Sequence, residues 1–289
     1  MEDQYRNLKL GERGAITSIV AYIFLSALKL TIGNFADSEA LKADGLNNTT
    51  DIIASIAVLI GLKMSQKPPD EDHPYGHWKA ETVASMVASF IMMAVGLQVL
   101  YGATLSLFDQ KTLAPDPVAA WTAVFCAIVM YGVYRYNHQL AKKVKSQSVM
   151  AAAKDNLSDA WVSIGTAVGI FGSQLHLPWL DPLTAVIVGL LICKTAWDIF
   201  KEASHNLTDG FDENALEDYK ETIKKISGVA TVEEIKARSY GSQVVADVVI
   251  HVEPSMDVKN SHEVTKNIEQ ALADEYQVVE VHVHVEPIE

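Results

Sequence analysis

With 289 residues, 49% of them hydrophobic, the chain can form one large domain or two modest ones. Its mean hydropathy of +0.13 lies between an all-membrane protein and an ordinary soluble one, which predicts a membrane part followed by a soluble part. The net charge is −13, and residues 205–289 hold eighteen Asp/Glu against seven Lys/Arg; so acidic a tail repels nucleic acid, which argues against nucleic-acid binding, and attracts cations.

Crossing the hydrocarbon core takes roughly 20 apolar residues. Six runs qualify, at about 13–33, 39–64, 80–107, 117–137, 148–174 and 182–203, the second and fifth weakened by polar residues at their middle or entry. The first is too long for a secretory leader and lacks a small-residue cleavage pattern. Cys126 and Cys193 fall inside apolar runs and read as packing residues. Basic residues gather at the N-terminus (Arg6, Lys9, Arg13), in the 65–79 loop (Lys67, Lys79) and in the 141–147 loop (Lys142, Lys143, Lys145), whereas the opposite loops hold a single lysine, Lys111. That asymmetry predicts cytoplasmic termini on both ends.

After residue 205 the pattern turns soluble. An amphipathic helix (Leu216, Tyr219, Ile223, Ile226), two strand-like runs joined by a Gly-Ser turn, a second helix (Val264, Ile268, Leu272) and a last strand give the order α-β-β-α-β, a small α+β domain of ferredoxin-like type. The expected division is a membrane domain at 1–204 and a tail domain at 205–289.

Two of the spans carry carboxylates. In span two, Asn47 and Asp51 stand four apart on one helix face; in span five, Asp155 and Asp159 do the same. Span two enters from outside and span five from inside, yet Asp51 and Asp159 both lie about 17–18 Å deep at 1.5 Å per residue. Three carboxylates and an amide in low dielectric cannot all sit ionised without compensation, since one Asp at a helix centre costs ~2.5–3.5 kcal/mol. A divalent cation supplies that compensation, so metal and protons would compete for the same oxygens. Either pair alone fits a structural role equally well.

The polar pairs "NNTTD" and "DNLSD", the six spans and the α-β-β-α-β tail together resemble the cation diffusion facilitator family, whose members export divalent metals by proton exchange. The resemblance covers nearly the whole chain. It implies that Asn47, Asp51, Asp155 and Asp159 form the transport site, and that the chain is a homodimer joined through its cytoplasmic domain in the cell membrane. The loop "DEDHPYGHWKAE" is similar to a stretch common in the family, where Asp70, His73 and His77 match residues that bind a second metal in some zinc exporters. Without the resemblance it is an exposed polar loop in which Pro74 blocks helix, so its histidines need not converge. On the last strand His282, His284 and Glu286 share one face. The resemblance places His284, Glu286 and His262 on family ligand positions, although Val249 and Glu233 stand where zinc-type members often have histidine; an ordinary half-solvated strand explains the alternation too.

The quartet contains no His or Cys, the ligands zinc favours. Carboxylate and amide oxygens suit Mn²⁺, which accepts expanded coordination, ahead of Fe²⁺, Co²⁺ and Zn²⁺. Mg²⁺ dehydrates reluctantly. No Walker-A loop or H-E-x-x-H motif is present, so neither enzyme chemistry nor a cofactor is expected beyond the transported ion. A passive cation channel and a metal sensor are the rival readings.

Overall fold

The computed structural model describes residues 2–108, 114–144, 147–240 and 243–288; Lys111, Lys145 and the Gly241-Ser242 turn lie outside the described residues. Six long helices come first: α1 (Glu2–Phe35), α2 (Glu39–Ser65), α3 (Ala80–Phe108), α4 (Pro117–Val144), α5 (Gln147–Gln174) and α6 (Leu180–Leu207). Then follow α7 (Glu213–Lys224), β1 (Thr231–Tyr240), β2 (Gln243–Val252), α8 (Val258–Tyr276) and β3 (Glu280–Pro287). The chain divides into two compact units, Met1–Ile56 with Ala88–Asp198, and Ala57–Val87 with Ile199–Glu289.

Five of the six long helices are long and apolar enough to cross a membrane: α2, α3, α4, α6 and the Ile16–Phe35 part of α1. Helix α5 equals them at 28 residues but is diluted by Lys154, Asp155 and Asp159. Lys154, Asp155 and Ser158 near its start are exposed, but from Asp159 to Ser173 its polar side chains are buried. Trp161, Ile164 and Val168 are exposed, whereas Asn156, Asp159, Ser163 and Thr166 are buried. That is a soluble helix turned inside out, as lipid on one face and a polar bundle interior on the other require.

In the first unit, α1 packs on α4 and α4 on α5. Small residues let α3 approach α6: a Cβ on Gly96 would stand 2.6 Å from Cys193 Sγ, which fixes Cys193 as a packing residue. Both cysteines are free thiols. The start of α2 is capped from another helix. Ser38 Oγ accepts from the Leu41 amide (3.1 Å) and donates to Asp181 Oδ1 (2.6 Å), while Asp181 Oδ2 accepts from the amides of Glu39 (2.7 Å) and Ala40 (3.3 Å). Asp181→Ala strands a buried hydroxyl and two amides, a loss of about 1–3 kcal/mol. We expect a lower thermal unfolding midpoint of the detergent-solubilised protein, with a smaller drop for Asp181→Asn.

In the second unit, β1 and β2 are antiparallel while β2 and β3 are parallel, with α8 as the crossover that parallel neighbours need. The sheet order is β1-β2-β3. Ala246, Val248, Ile250 and Val252 point to the helices and bury with Ile223, Ile268 and Leu272. The alternate residues Asp247, Val249 and His251 face away, beside His282, His284 and Glu286 in register. Both helices begin on an Asp that accepts a backbone amide, Asp212 from Asn214 (2.9 Å) and Asp257 from Asn260 (2.8 Å).

Candidate metal-transport site

The first unit holds a polar interior built from α1, α2, α4 and α5. Asn47 Nδ2 donates to Asp159 Oδ1 at 3.2 Å, joining the two polar pairs read from the sequence. Asp51, one turn beyond Asn47, keeps a buried Oδ2 without a hydrogen-bond partner among the described residues. Its charge is near enough to those of Asp159 and Asp155 to be repelled by both. Asp155 stands one turn before Asp159 and is exposed. The three carboxylates do not close to within 4.8 Å of one another, unlike two other groups among the described residues. In this conformation Asn47 and Asp159 meet, Asp51 flanks them and Asp155 stands open.

Two networks hold this interior. Lys29 is fully buried, and its ammonium donates to Asp44 Oδ1 (2.9 Å), Asn48 Oδ1 (2.6 Å) and Ser163 Oγ (2.9 Å). Lys29 and Asp44 thus form a buried ion pair between α1 and α2. The second network reaches Asp159 from α1, where Tyr22 donates to Oδ2 at 2.6 Å. Neither network was read from the sequence. The signal was nonetheless present: Ser18, Tyr22, Ser26 and Lys29 recur at helical spacing on α1, and Asn156, Asp159, Ser163 and Thr166 do so on α5.

The second unit contains the loop residues. Asp70 accepts the His73 amide (2.8 Å) and lies 3.0 Å from His73 Nδ1 and 3.5 Å from His77 Nε2. The two imidazole rings are 4.2 Å apart. Pro74 does block helix, but a turn in which the Gly76 amide bonds His73 O (2.9 Å), with Gly76 at φ 79°, folds His77 back onto His73. The histidines therefore converge. The His73 ring beside Asp70 holds its carboxyl below the usual carboxylate range. Just after the loop, Lys79 Nζ pairs with Asp209 at 3.0 Å and lies over the Tyr240 ring.

On the sheet, His284 Nε2 meets Glu286 Oε1 at 3.2 Å, joining two of the three residues assigned there. His262 instead lines an open pocket of about 480 Å³ with Asp247, Glu269, His282 and His284. A group not anticipated is Glu233, His251 and Glu286. His251 Nε2 is 3.3 Å from Glu233 and 3.8 Å from Glu286, and its Nδ1 is 3.0 Å from Thr231 Oγ1. A bulge between Val232 and Glu234 interrupts the register beside Glu233, and parallel pairing sets His251 opposite Glu286. The repeated "HVEP" at 251–254 and 284–287 was the available clue.

The cation efflux transmembrane domain model matches residues 15–208. The chain belongs to the cation efflux family. This is the family named above as cation diffusion facilitator, and its cytoplasmic-domain model matches residues 211–288. The manganese efflux system protein MneS of Bacillus subtilis (strain 168) is 60% identical over 287 residues, with 99% of each chain covered. The uncharacterized transporter YdbO of the same strain is 54% identical over 285 residues, covering 99% of this chain and 98% of that one. The manganese efflux system protein MneP, again of that strain, is 30% identical over 292 residues, covering 96% and 97%. This member of the cation efflux family is thus a multi-pass membrane transporter and not an enzyme, with α5 inside its transmembrane domain.

Proposed function

We propose that this cation efflux protein exports Mn²⁺ from the cytoplasm in exchange for protons, with Asn47, Asp51, Asp155 and Asp159 as ligands of the ion. The observation that carries the reading is the part-buried bond between Asn47 of α2 and Asp159 of α5, which joins the two polar pairs. The donor set is all oxygen, which suits Mn²⁺, and the similarity to two manganese efflux proteins agrees with that choice. An arriving ion competes with the Asn47 amide hydrogens and with protons for the carboxylates, turning the Asn47 carbonyl oxygen towards itself. A rocking motion then exposes the site outward, where protons displace the ion. The membrane domain at 1–204 performs the exchange in the cell membrane with both termini cytoplasmic, and the domain at 205–289 joins two copies. Asp70, His73 and His77, and separately His262, His284 and Glu286 with Glu233 and His251, hold cations outside the transport path.

The test is uptake by the purified protein in liposomes with an acidic lumen. External Mn²⁺ should enter faster than without the gradient, and the lumen should become alkaline in step. Mn²⁺ flux indifferent to the gradient would point to a channel. Unimpaired cellular metal tolerance in Asp51→Ala and Asp159→Ala, with loss on tail mutation, would point to a sensor. Cells lacking the protein should be sensitive to manganese; sensitivity to iron, cobalt or zinc instead would reassign the ion. Because imidazole favours zinc, Asp155→His is expected to raise zinc transport relative to manganese, measured as competing uptake of the two ions.

A further inference from the structure

Asp159 is approached from behind by a continuous chain of buried polar groups. Tyr22 on α1 donates its hydroxyl to Asp159 Oδ2 at 2.6 Å. The same hydroxyl accepts from Asn156 Nδ2 at 2.9 Å. Asn156 Oδ1 in turn accepts from Ser18 Oγ (3.0 Å) and Asn137 Nδ2 (2.9 Å), and Asn137 Nδ2 also reaches Ser18 Oγ at 2.8 Å. Ser18, Tyr22, Asn137, Asn156 and Asp159 are each no more than 7% exposed. The chain starts on α4, passes through α1 and α5, and stops at a single carboxylate oxygen.

We infer that Tyr22 is a positioning residue of the transport site: backed by Asn156, Ser18 and Asn137, its hydroxyl occupies Oδ2 of Asp159 and reserves Oδ1 for the ion. The inference rests on the reading of Asp159 as a ligand. The hydrogen bonds run in one sense. Asn156 presents its amide hydrogens to Tyr22 because its carbonyl is already taken by Ser18 and Asn137. The phenol proton must then point at Asp159, and a phenol–carboxylate bond of this length is charge-assisted. A carboxylate with one oxygen so held coordinates through the other. One-oxygen coordination leaves space for a full set of ligands around a small ion, whereas a freed carboxylate can chelate with both oxygens, a mode that larger Ca²⁺ accepts. Tyr22 therefore acts on affinity and on discrimination through Asp159, without touching the ion.

Reconstituted full-length protein tests this by Mn²⁺ uptake as a function of concentration. Tyr22→Phe keeps the ring and removes the hydroxyl. It should raise KM for Mn²⁺ about 10-fold, within the range for partners of metal ligands, with little change in maximal rate, and make Ca²⁺ a better competitor. Asn137→Ala, two links from Asp159, should shift KM in the same direction by less. The double variant should be no worse than Tyr22→Phe, because both act through one carboxylate. Packing loss would instead reduce the amount of active protein and add in the double variant, leaving KM alone. An unchanged KM in Tyr22→Phe, or additive effects, alongside an inactive Asp159→Asn overturns the positioning role and spares the ligand reading. Full uptake by Asp159→Asn overturns both.

Discussion

Replacing Lys29 by Met is expected to destabilise the membrane unit by about 3–5 kcal/mol, the cost of breaking one side of a buried ion pair. Both Lys29 and Asp44 are completely buried, and each of the three ammonium hydrogens has its own acceptor at 2.6–2.9 Å. Asp44 Oδ2 and Asn48 Nδ2 already have no hydrogen-bond partner among the described residues, so nothing nearby can take over. A loss of that size is a large part of a typical folding free energy of roughly 5–15 kcal/mol. It should appear as a sharply lower unfolding midpoint in detergent and as aggregated rather than monodisperse protein. Asp44→Leu alone should behave similarly. The double variant Lys29→Met/Asp44→Leu removes both charges, and most of the stability should return. If instead the double variant is as unstable as the two singles combined, the pair is not what holds α1 against α2.

With Asp159 and Asp51 proposed as ligands of Mn²⁺, Asp159→Ala and Asp51→Ala are each expected to lower Mn²⁺ uptake by vesicles at least about 100-fold, since outer partners of metal ligands alone cost 10–100-fold. The geometry ranks the carboxylates. Asp159 has both oxygens engaged by Tyr22 and Asn47, Asp51 is half-buried with its Oδ2 shut away from solvent, and Asp155 is exposed one turn from Asp159. Asp155→Ala should therefore cost less than either. Uptake of Mn²⁺ at fixed protein load, with folding checked by thermal unfolding, measures this order. Equal losses at all three positions would mean that the ion draws Asp155 fully into its shell.

The helical framework was legible because its signals are local. Apolar length placed the six long helices, although α1 begins eleven residues before the expected run and α4 ends seven beyond it, and the helix and strand patterns of the tail placed the rest. That the two polar pairs come together was legible as well, since the matched depth of Asp51 and Asp159 from opposite entries is arithmetic on helix rise, although the bond to Asp159 comes from Asn47. The loop histidines were not, because a Gly76 turn reversing the chain after Pro74 is a tertiary outcome that spacing does not encode. His251 was not legible either, because parallel register rather than sequence distance puts it opposite Glu286. Tyr22 and Lys29 were obscured for a different reason. A single Tyr or Lys in an apolar run has many explanations, and their partners on α2 and α5 lie 15 to 137 residues away.

The inverted amphipathicity of α5 carries a consequence for biogenesis. A segment with Lys154, Asp155 and Asp159 in its first half is a poor candidate for release into bilayer lipid by itself, at ~2.5–3.5 kcal/mol for each charge near the centre. Its polar stripe is satisfied by Ser18, Tyr22 and Lys29 from α1, and by Asn137 from α4. During synthesis, then, the earlier helices have to be waiting at the insertion machinery as a receptive surface, so that α5 leaves it in their company.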